Sequence, residues 1–203
     1  MVISSKRSSD LFYQIGFVII ICSLFFLSRP ALVSRAVDIN GASGPDNIRG
    51  TITDDDIRGR NGQDTIDGLD GNDEIEGQQG DDLLNGSAGN DYLAGGDDFD
   101  TLDGGQGNDE LLGDDGRDKI FGGTENDILY GGLANDILDG GQGDDRLYGG
   151  PGNDTLRGGP GADYFRCGPG TDKIGTFSPL DGDREARSRR HPVHAALVGA
   201  AWG

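Results

Sequence analysis

The sequence predicts an all-β fold, a solenoid of 18-residue coils with two short strands in each coil. Glycine supplies 38 of the 203 residues and only 33% of residues are hydrophobic, too few for a conventional core. Aspartate recurs every nine residues, and an aliphatic or aromatic residue follows it two places later. Low hydrophobicity and high charge usually indicate disorder, but a period kept in phase along the chain argues against it.

The first 36 residues differ from the rest of the chain. Two basic residues precede an apolar run over residues 15–27, and small residues stand at the −3 and −1 positions of a cleavage site, Ser34 and Ala36. This layout predicts a secretory signal peptide over residues 1–36 and a secreted, extracellular protein. The alternative is an uncleaved anchor that leaves the chain facing outside, because residues 11–27 approach the length that spans a bilayer. Cleavage would change the net charge from −19 to −22.

After a short lead-in over residues 37–40, the chain can be written in rows of nine from Gly41 without a gap. Glycine holds the first place of each row to Gly158 and usually the fourth, and an apolar residue holds the eighth from Ile48 to Ile174. The sixth place holds Asp46, Asp55, Asp64, Asp73, Asp82, Asp91, Asp100, Asp109, Asp118, Asp127, Asp136, Asp145, Asp154, Asp163 and Asp172, with Asp181 as the last of the series.

Each row predicts a glycine turn followed by a three-residue strand. Glycine permits the left-handed and crowded backbone of such a turn, whose carbonyl groups would point inward. In the strand, the eighth-place side chain fills a narrow interior, while the seventh and ninth places face solvent. Two rows close one coil of eighteen residues.

Stacked coils bring aspartates eighteen residues apart to within about 4.8 Å, the spacing of neighbouring strands. The carboxylates would repel each other unless a cation lies between them. Calcium accepts six to eight oxygen ligands in flexible geometry, whereas magnesium requires a tighter octahedron. Zinc and copper prefer His or Cys, and the chain after cleavage offers only His191, His194 and Cys167. The predicted cofactor is therefore calcium, in several copies.

These rows resemble the glycine- and aspartate-rich nonapeptide repeats of the haemolysin-type, or repeats-in-toxin, calcium-binding proteins. Residues 104–112 and 149–157 carry the match most clearly, and the resemblance covers residues 41–183. It implies a parallel β-roll with calcium bound between successive turns on both edges. Eight aspartates on each edge leave seven gaps, so at most 14 ions would bind.

The candidate metal-binding residues are the fifteen aspartates from Asp46 to Asp172 and the fourth-place glycines of their turns. Those glycines are Gly62, Gly71, Gly80, Gly89, Gly107, Gly116, Gly143, Gly152 and Gly161. Five rows lack this glycine and carry Thr53, Asp98, Glu125, Ala134 or Pro179 instead. We expect weaker sites beside those turns, so that Asp154→Ala lowers the calcium count and stability more than Asp136→Ala does.

The pattern stops after Ile174. Asp181 is expected to cap the stack, because a solenoid must cover its last open strand. Residues 184–203 are basic and rich in alanine, which predicts a disordered tail. A tail docked on the acidic roll, a short helix near the end, and the product of a shifted reading frame remain alternatives.

The same composition limits the function. The repeats leave no room for a catalytic domain, and neither a His-Glu-x-x-His nor a Gly-x-Ser-x-Gly motif is present, so we predict that the chain is not an enzyme. A large negative charge disfavours a nucleic-acid partner. The favoured function is a secreted binding or structural module that folds on binding calcium. The alternatives are a cell-surface adhesion or matrix protein, or a repeat fragment of a secreted enzyme or toxin.

One outer face carries a possible binding surface for a partner or a second copy. Strands eighteen residues apart share a sheet, so their seventh- and ninth-place side chains form one surface. On one sheet these are the predicted interaction residues Tyr92, Leu112, Ile128, Tyr130, Tyr148 and Tyr164. The opposite sheet is more polar, with Leu83, Phe121 and Ile137 as its larger apolar residues. The alternative is that the aromatic neighbours only stabilise the sheet.

Overall fold

The computed structural model describes residues 37–175 and 182–185. The odd-numbered strands, which form the first sheet, are β1 (Val37–Asn40), β3 (Asp55–Asn61), β5 (Glu74–Gln79), β7 (Tyr92–Asp98), β9 (Glu110–Gly116), β11 (Ile128–Tyr130), β13 (Arg146–Tyr148), β15 (Tyr164–Arg166) and β17 (Arg184–Glu185). The even-numbered strands, which form the second sheet, are β2 (Asn47–Arg49), β4 (Thr65–Asp70), β6 (Leu83–Ala88), β8 (Thr101–Gln106), β10 (Lys119–Thr124), β12 (Ile137–Gln142), β14 (Thr155–Arg157) and β16 (Lys173–Gly175). Within these ranges no helix is long and apolar enough to cross a membrane.

All strand pairs are parallel, and each strand pairs with the strands one coil before and after it. The register is eighteen residues, as in the pairing of Leu93 with Leu111 and of Leu129 with Leu147. The prediction of an all-β, parallel β-roll with 18-residue coils and two strands per coil is therefore confirmed. A parallel pair needs a crossover connection, and here the opposite half of each coil supplies it.

Both flanks of the repeat also join the first sheet. Val37–Asn40, predicted as a lead-in, forms β1 and pairs with β3. Arg184–Glu185, predicted as the start of the tail, forms β17 and pairs with β15. Each flank thus covers a strand that would otherwise be the sheet edge. The predicted signal peptide over residues 1–36 and the remainder of the tail lie outside the described residues.

The interior is a double file of aliphatic side chains, one from the eighth place of each row. Those from Ile57 to Phe165 are almost completely buried, whereas Ile39 and Ile174 at the two ends are only partly covered. Each coil therefore buries about two large apolar side chains for eighteen ordered residues. Such a thin core offsets little of the entropy lost on folding, so the turns must contribute to stability.

The turns depend on glycine where the coils approach closely. Gly107, at the fourth place of its row, has φ +130°, a backbone conformation that other residues rarely adopt. A Cβ atom at this position would collide with the carbonyl oxygen of Gly89 in the preceding coil. Gly44 holds the same place in the first row, and a Cβ there would meet no atom of the described residues within 4 Å.

We therefore expect Gly107→Ala to destabilise the calcium-loaded roll and Gly44→Ala to leave it almost unchanged. The strained backbone conformation alone costs on the order of 1–3 kcal/mol, and the backbone collision adds to this. Denaturant unfolding of both variants in saturating calcium measures the difference. Equal stabilities would show that the fourth-place glycine is not required by the stacking of the coils.

Several rows keep the left-handed turn without glycine. Asp98, Glu125 and Ala134 replace the fourth-place glycine, and their φ angles are 85°, 75° and 79°. The second place also has positive φ in residues of ordinary type, such as Leu69 (83°) and Ser87 (78°). The stacking of the coils thus holds these residues in a conformation that their own preferences disfavour.

Candidate metal centres

The sixth-place aspartates form two ladders, one along each edge of the roll. In each ladder the Oδ1 atom of an aspartate accepts a hydrogen bond from the backbone N–H of the aspartate one coil earlier. The N–H of Asp91 donates to Asp109 at 2.8 Å, and the N–H of Asp109 donates to Asp127 at 2.9 Å. The structure therefore brings together all fifteen predicted aspartates. Those from Asp55 to Asp163 are at most 3% exposed.

The second ladder ends on a residue that the sequence period does not indicate. The N–H of Asp163 donates to Oδ1 of Asp183 at 3.0 Å, a separation of twenty residues instead of eighteen. Asp183 is buried and takes the place expected for Asp181, which lies outside the described residues. The spacing between these two aspartates is thus longer by two residues than in the preceding coils. The expectation that Asp181 caps the stack stays a prediction.

The other carboxylate oxygen of the ladder, Oδ2, has no hydrogen-bond partner in the interior coils of the described part. These buried oxygens belong to Asp64, Asp73, Asp82, Asp91, Asp100, Asp109, Asp118, Asp127, Asp136, Asp145 and Asp154. At the start of the stack the situation differs, because Oδ2 of Asp46 and of Asp55 accepts the N–H of Ala42 (2.5 Å) and of Thr51 (2.6 Å). Buried carboxylate oxygens require a partner, and a row of them favours a bound cation.

Each orphaned oxygen points to a space left by the first-place glycine. A Cβ atom on Gly59 would lie 2.5 Å from Oδ2 of Asp64 and 2.9 Å from the carbonyl oxygen of Gly77 in the next coil. A Cβ on Gly131 would lie 2.5 Å from both Oδ2 of Asp136 and the carbonyl oxygen of Gly149. In these two turns a carboxylate oxygen and a carbonyl oxygen therefore lie close together, and hard oxygen ligands of this kind suit calcium.

Comparison with known families agrees with this geometry. The family model for the RTX calcium-binding nonapeptide repeat (4 copies) matches residues 40–75, 67–102, 76–111, 85–120, 103–138, 112–147 and 139–174. The chain belongs to this RTX repeat family. A search of the curated proteins found no significant match. The chain is thus a calcium-binding repeat module, and the prediction of multiple calcium ions as cofactor is confirmed.

When no cation is present, the environment of the RTX aspartate ladders favours the protonated, uncharged form of the interior carboxyl groups. Burial is the main cause, and it raises the pKa of Asp127 to about 8 and the pKa of Asp100 and Asp118 to about 7. The hydrogen bond from the preceding backbone N–H lowers each pKa, and neighbouring aspartates raise it further. Asp109 and Asp154 reach about 6 for the same main reason. The ladder therefore favours either protons or a metal cation over bare carboxylates.

The pH dependence of the metal-free roll follows from these shifts. Raised pKa values mean that the folded state binds more protons than the unfolded chain between about pH 4 and pH 8, so its stability increases as the pH falls through this range. We expect more strand signal in circular dichroism at pH 5 than at pH 8 for protein depleted of calcium. Calcium affinity should change in the opposite direction, because protons compete for the same oxygens. Higher strand content at pH 8 without calcium would contradict this assignment.

The fourth-place glycines lie in the turns beside these aspartates. A Cβ on Gly71 or on Gly152 would meet Oδ1 of Asp73 or of Asp154 at 2.9 Å and 2.8 Å. The ladder continues without interruption through the rows of Glu125 and Ala134, where glycine is absent. The missing glycine thus leaves the hydrogen bonding intact, and the roles of individual aspartates and glycines as calcium ligands, with weaker sites in these rows, stay predictions.

No group of three or more His, Cys, Asp and Glu side chains gathers into a metal site in the part of the chain that the structure describes. Sites between two stacked aspartates would instead draw the remaining oxygens from the backbone. Cys167 is buried, and burial raises its thiol pKa to about 12, so it stays a protonated core residue. His191 and His194 lie outside the described residues.

A ladder of fifth-place residues, mostly asparagines, which the sequence analysis did not predict, runs beside the aspartates and is most complete on one edge. The N–H of Asn90 donates to the side-chain oxygen of Asn72 at 2.8 Å, and the N–H of Asn108 donates to that of Asn90 at 2.7 Å. The N–H groups of these fifth-place residues donate to the preceding coil, whereas those of the aspartates donate to the following coil. On the other edge the ladder is partial: the N–H of Asn153 donates to the side-chain oxygen of Asn135 at 2.7 Å, whereas Phe99 and Arg117 occupy this place in earlier coils. The Asn-Asp pair that recurs in the rows is the sequence signal from which this ladder could have been predicted.

Proposed function

We propose that this RTX protein is an exported module that folds when calcium fills the gaps between its coils and then presents one sheet face to a partner. The observation that carries the proposal is the stack of buried aspartates whose Oδ2 atoms have no hydrogen-bond donor. When bound, calcium would supply the positive charge and the coordination that these oxygens lack. Without calcium, repulsion within a chain of net charge −19 favours the expanded state.

Export gives this coupling a physiological use. Extracellular calcium modules are typically tuned to about 10⁻⁴–10⁻³ M calcium, far above cytoplasmic levels, so the chain would remain unfolded until it leaves the cell. The export step is supported by the basic, apolar and small-residue pattern of residues 1–36. Determination of the N-terminus of the secreted protein, expected at Val37, checks this step; an intact Met1 would favour a retained anchor.

The outer face of the first sheet is the proposed binding surface. The rings of Tyr130 and Tyr148 stack with centroids 4.8 Å apart and an interplanar angle of 13°, and the ring of Tyr164 lies 6.0 Å from that of Tyr148. Leu112 pairs directly with Tyr130 in the neighbouring strand. These side chains are half-buried against each other and form a continuous apolar patch, the kind of surface that often binds a partner.

The most exposed large hydrophobic residues are located elsewhere and are scattered. Ile52, Phe99 and Leu133 lie in turns, whereas Leu83, Phe121 and Ile137 lie on the second sheet. Single exposed apolar side chains are common on soluble proteins. Their dispersal supports the tyrosine face, not the second sheet, as the binding surface.

Replacing Tyr130 and Tyr148 together by Ser tests this surface. We expect the calcium-induced strand signal to remain nearly unchanged, because both rings lie outside the core, while binding to a second copy or to a partner is lost. The matched control is Phe121→Ser, which removes an exposed ring from the second sheet and should leave binding intact. If the double variant fails to fold in calcium, the tyrosines are part of the scaffold and the proposed surface is wrong.

A further inference from the structure

The charges on the outer face of the first sheet change sign along the stack. The seventh-place positions, from the first coil to the last, hold Asp38, Asp56, Glu74, Tyr92, Glu110, Ile128, Arg146, Tyr164 and Arg184. The first three are acidic, the middle is largely apolar, and arginine appears only toward the end. The face therefore has an acidic end, an aromatic centre and a basic end.

The two ends also differ in how far their charges are paired. At the acidic end Arg58 lies 2.9 Å from Asp56, 3.3 Å from Glu76 and 3.7 Å from Asp38. At the basic end Arg146, Arg166 and Arg184 are exposed and form no ion pair with another residue of the described part. Acids still outnumber arginine at the first end, so each end has an excess of charge that the other end could neutralise.

We infer that the partner of this face is a second copy of the chain, packed face to face with its stack running in the opposite direction. This inference rests on the proposed binding surface and names its occupant. Isologous contacts about a two-fold axis are the commonest way in which identical chains associate. An axis parallel to the strands and centred on β9 reverses the order of the nine strands while keeping their direction, so seventh-place residues face seventh-place residues.

This arrangement places complementary residues opposite each other toward both ends of the face, and in the seventh-place column only Glu110, in β9 on the axis, would face its own copy. Glu74 in the third strand of the sheet would face Arg146 in the seventh, and Asp38 in the first would face Arg184 in the ninth. Tyr92 in the fourth strand would face Ile128 in the sixth. Each contact occurs twice, once on each side of the axis. A two-fold axis along the stack would instead place each strand against its own copy in the reversed direction. Glu74 would then face Glu76, and the two acidic ends would meet, which like charges disfavour.

The ninth-place column fits the same arrangement with one exception. Ala94 would face Tyr130, and Glu76 would face Tyr148. Arg58 would face Arg166, but Arg58 is already surrounded by three carboxylates of its own chain. The like-charge contact therefore adds little repulsion.

The area of the face determines how strongly we expect two copies to associate. Nine strands at about 4.8 Å give a length of about 40 Å, and strands of three to seven residues give a width of about 10–23 Å. An area of this order lies at the low end for specific protein interfaces, where association is weak or transient. We therefore expect a dimer that forms at about 10⁻⁵–10⁻⁴ M and dissociates on dilution.

Charge reversal of the facing pair tests the arrangement. Glu74→Arg and Arg146→Glu are each expected to abolish dimers of calcium-loaded protein in sedimentation velocity at about 10⁻⁴ M, because each variant places two like pairs in contact. An equimolar mixture of the two variants is expected to restore the dimer, because both contacts are then between opposite charges. Lys119→Glu, on the outer face of the second sheet, is the matched control and should dimerise like the wild type.

Three results would overturn the inference: a monomeric wild type, single variants that still dimerise, or a mixture that stays monomeric. Circular dichroism in calcium, recorded on the same samples, separates these results from failure of the proposed function. A wild type that folds in calcium and is monomeric overturns only the second copy as occupant. A chain that gains no strand signal in calcium overturns the calcium-folded module itself.

Discussion

Removal of calcium is expected to convert the strand-rich roll into an expanded chain, the largest change that any single treatment should cause. The core supplies only about two large apolar side chains per coil, and the aspartate ladders place buried carboxylates in register along both edges. Cations that bind only the folded state stabilise it by mass action, so folding and binding should occur as one event. At neutral pH the ladders are only partly protonated and the metal-free roll should not persist.

Circular dichroism of the protein during calcium titration, followed by excess chelator, measures this coupling. The strand signal should appear with calcium, disappear with chelator and return when calcium is restored. Magnesium at the same concentration serves as the control and should produce little strand signal, because it prefers tighter octahedral coordination and retains its waters. A strand signal that survives chelator unchanged at neutral pH would show that the roll is stable without metal.

The second large effect is expected from Asp109→Asn. Whether this substitution stabilises or destabilises the folded state should depend on calcium. The asparagine oxygen can still accept the N–H of Asp91, now 2.8 Å from Oδ1, so the ladder hydrogen bond survives. Its amide nitrogen replaces Oδ2, which neighbours the carbonyl oxygen of Gly122 at the point where a Cβ of Gly104 would lie. The substitution therefore exchanges a predicted calcium ligand for a hydrogen-bond donor and removes a buried carboxyl group.

In saturating calcium we expect Asp109→Asn to bind one or two fewer ions and to unfold at a lower temperature. In chelator at pH 8 the substitution should favour the folded state, because Asn avoids the cost of ionising a carboxyl whose pKa is raised to about 6, on the order of 2–3 kcal/mol. Titration calorimetry gives the ion count, and circular dichroism in chelator with a stabilising osmolyte gives the second comparison.

Asp70→Asn is the matched control, because Asp70 occupies an exposed third-place position away from the ladders. It should change neither the ion count nor the unfolding temperature by a comparable amount. If Asp109→Asn also destabilises the metal-free chain, the carboxylate contributes to the fold through a contact other than calcium.

The repeat made most of the fold predictable from sequence. Asp109 and Leu111 occupy the same places in their row as Asp127 and Leu129 do in theirs, so one row's local geometry determines the next. The eighteen-residue register and the two edges of aspartates follow from that identity. The ladder contact at Asp183 was not predictable from the period, because it lies twenty residues after Asp163 instead of eighteen. The hydrogen bonding of individual oxygens was also hidden, since it depends on the rotamer that each stacked side chain adopts.

Some backbone conformations and exposed side chains could be seen only in the structure, because the residue types at these positions favour a different arrangement. Leu69 and Ser87 are residues that avoid positive φ, yet the neighbouring coils hold them there. Phe99 carries an aromatic ring in an exposed turn, where composition alone would place a core residue. In both cases the stacking of the coils overrides the preference of the single residue.

The direction of the aspartate hydrogen bonds makes the two ends of the roll chemically different. Every N–H of the aspartate ladders donates to the carboxylate of the succeeding coil, so each coil receives these hydrogen-bond acceptors from the coil after it. Along the aspartate ladders alone, loss of coils from the N-terminal side would leave carboxylate oxygens, which water or an ion can satisfy. Loss of Asp172 or Asp183 would instead leave the backbone N–H of Asp154 or Asp163 without this acceptor. The aspartate ladders thus give the array a direction, which the pairing of the sheets does not share, because the N–H of Thr65 donates back to the carbonyl of Asp46 in the preceding coil.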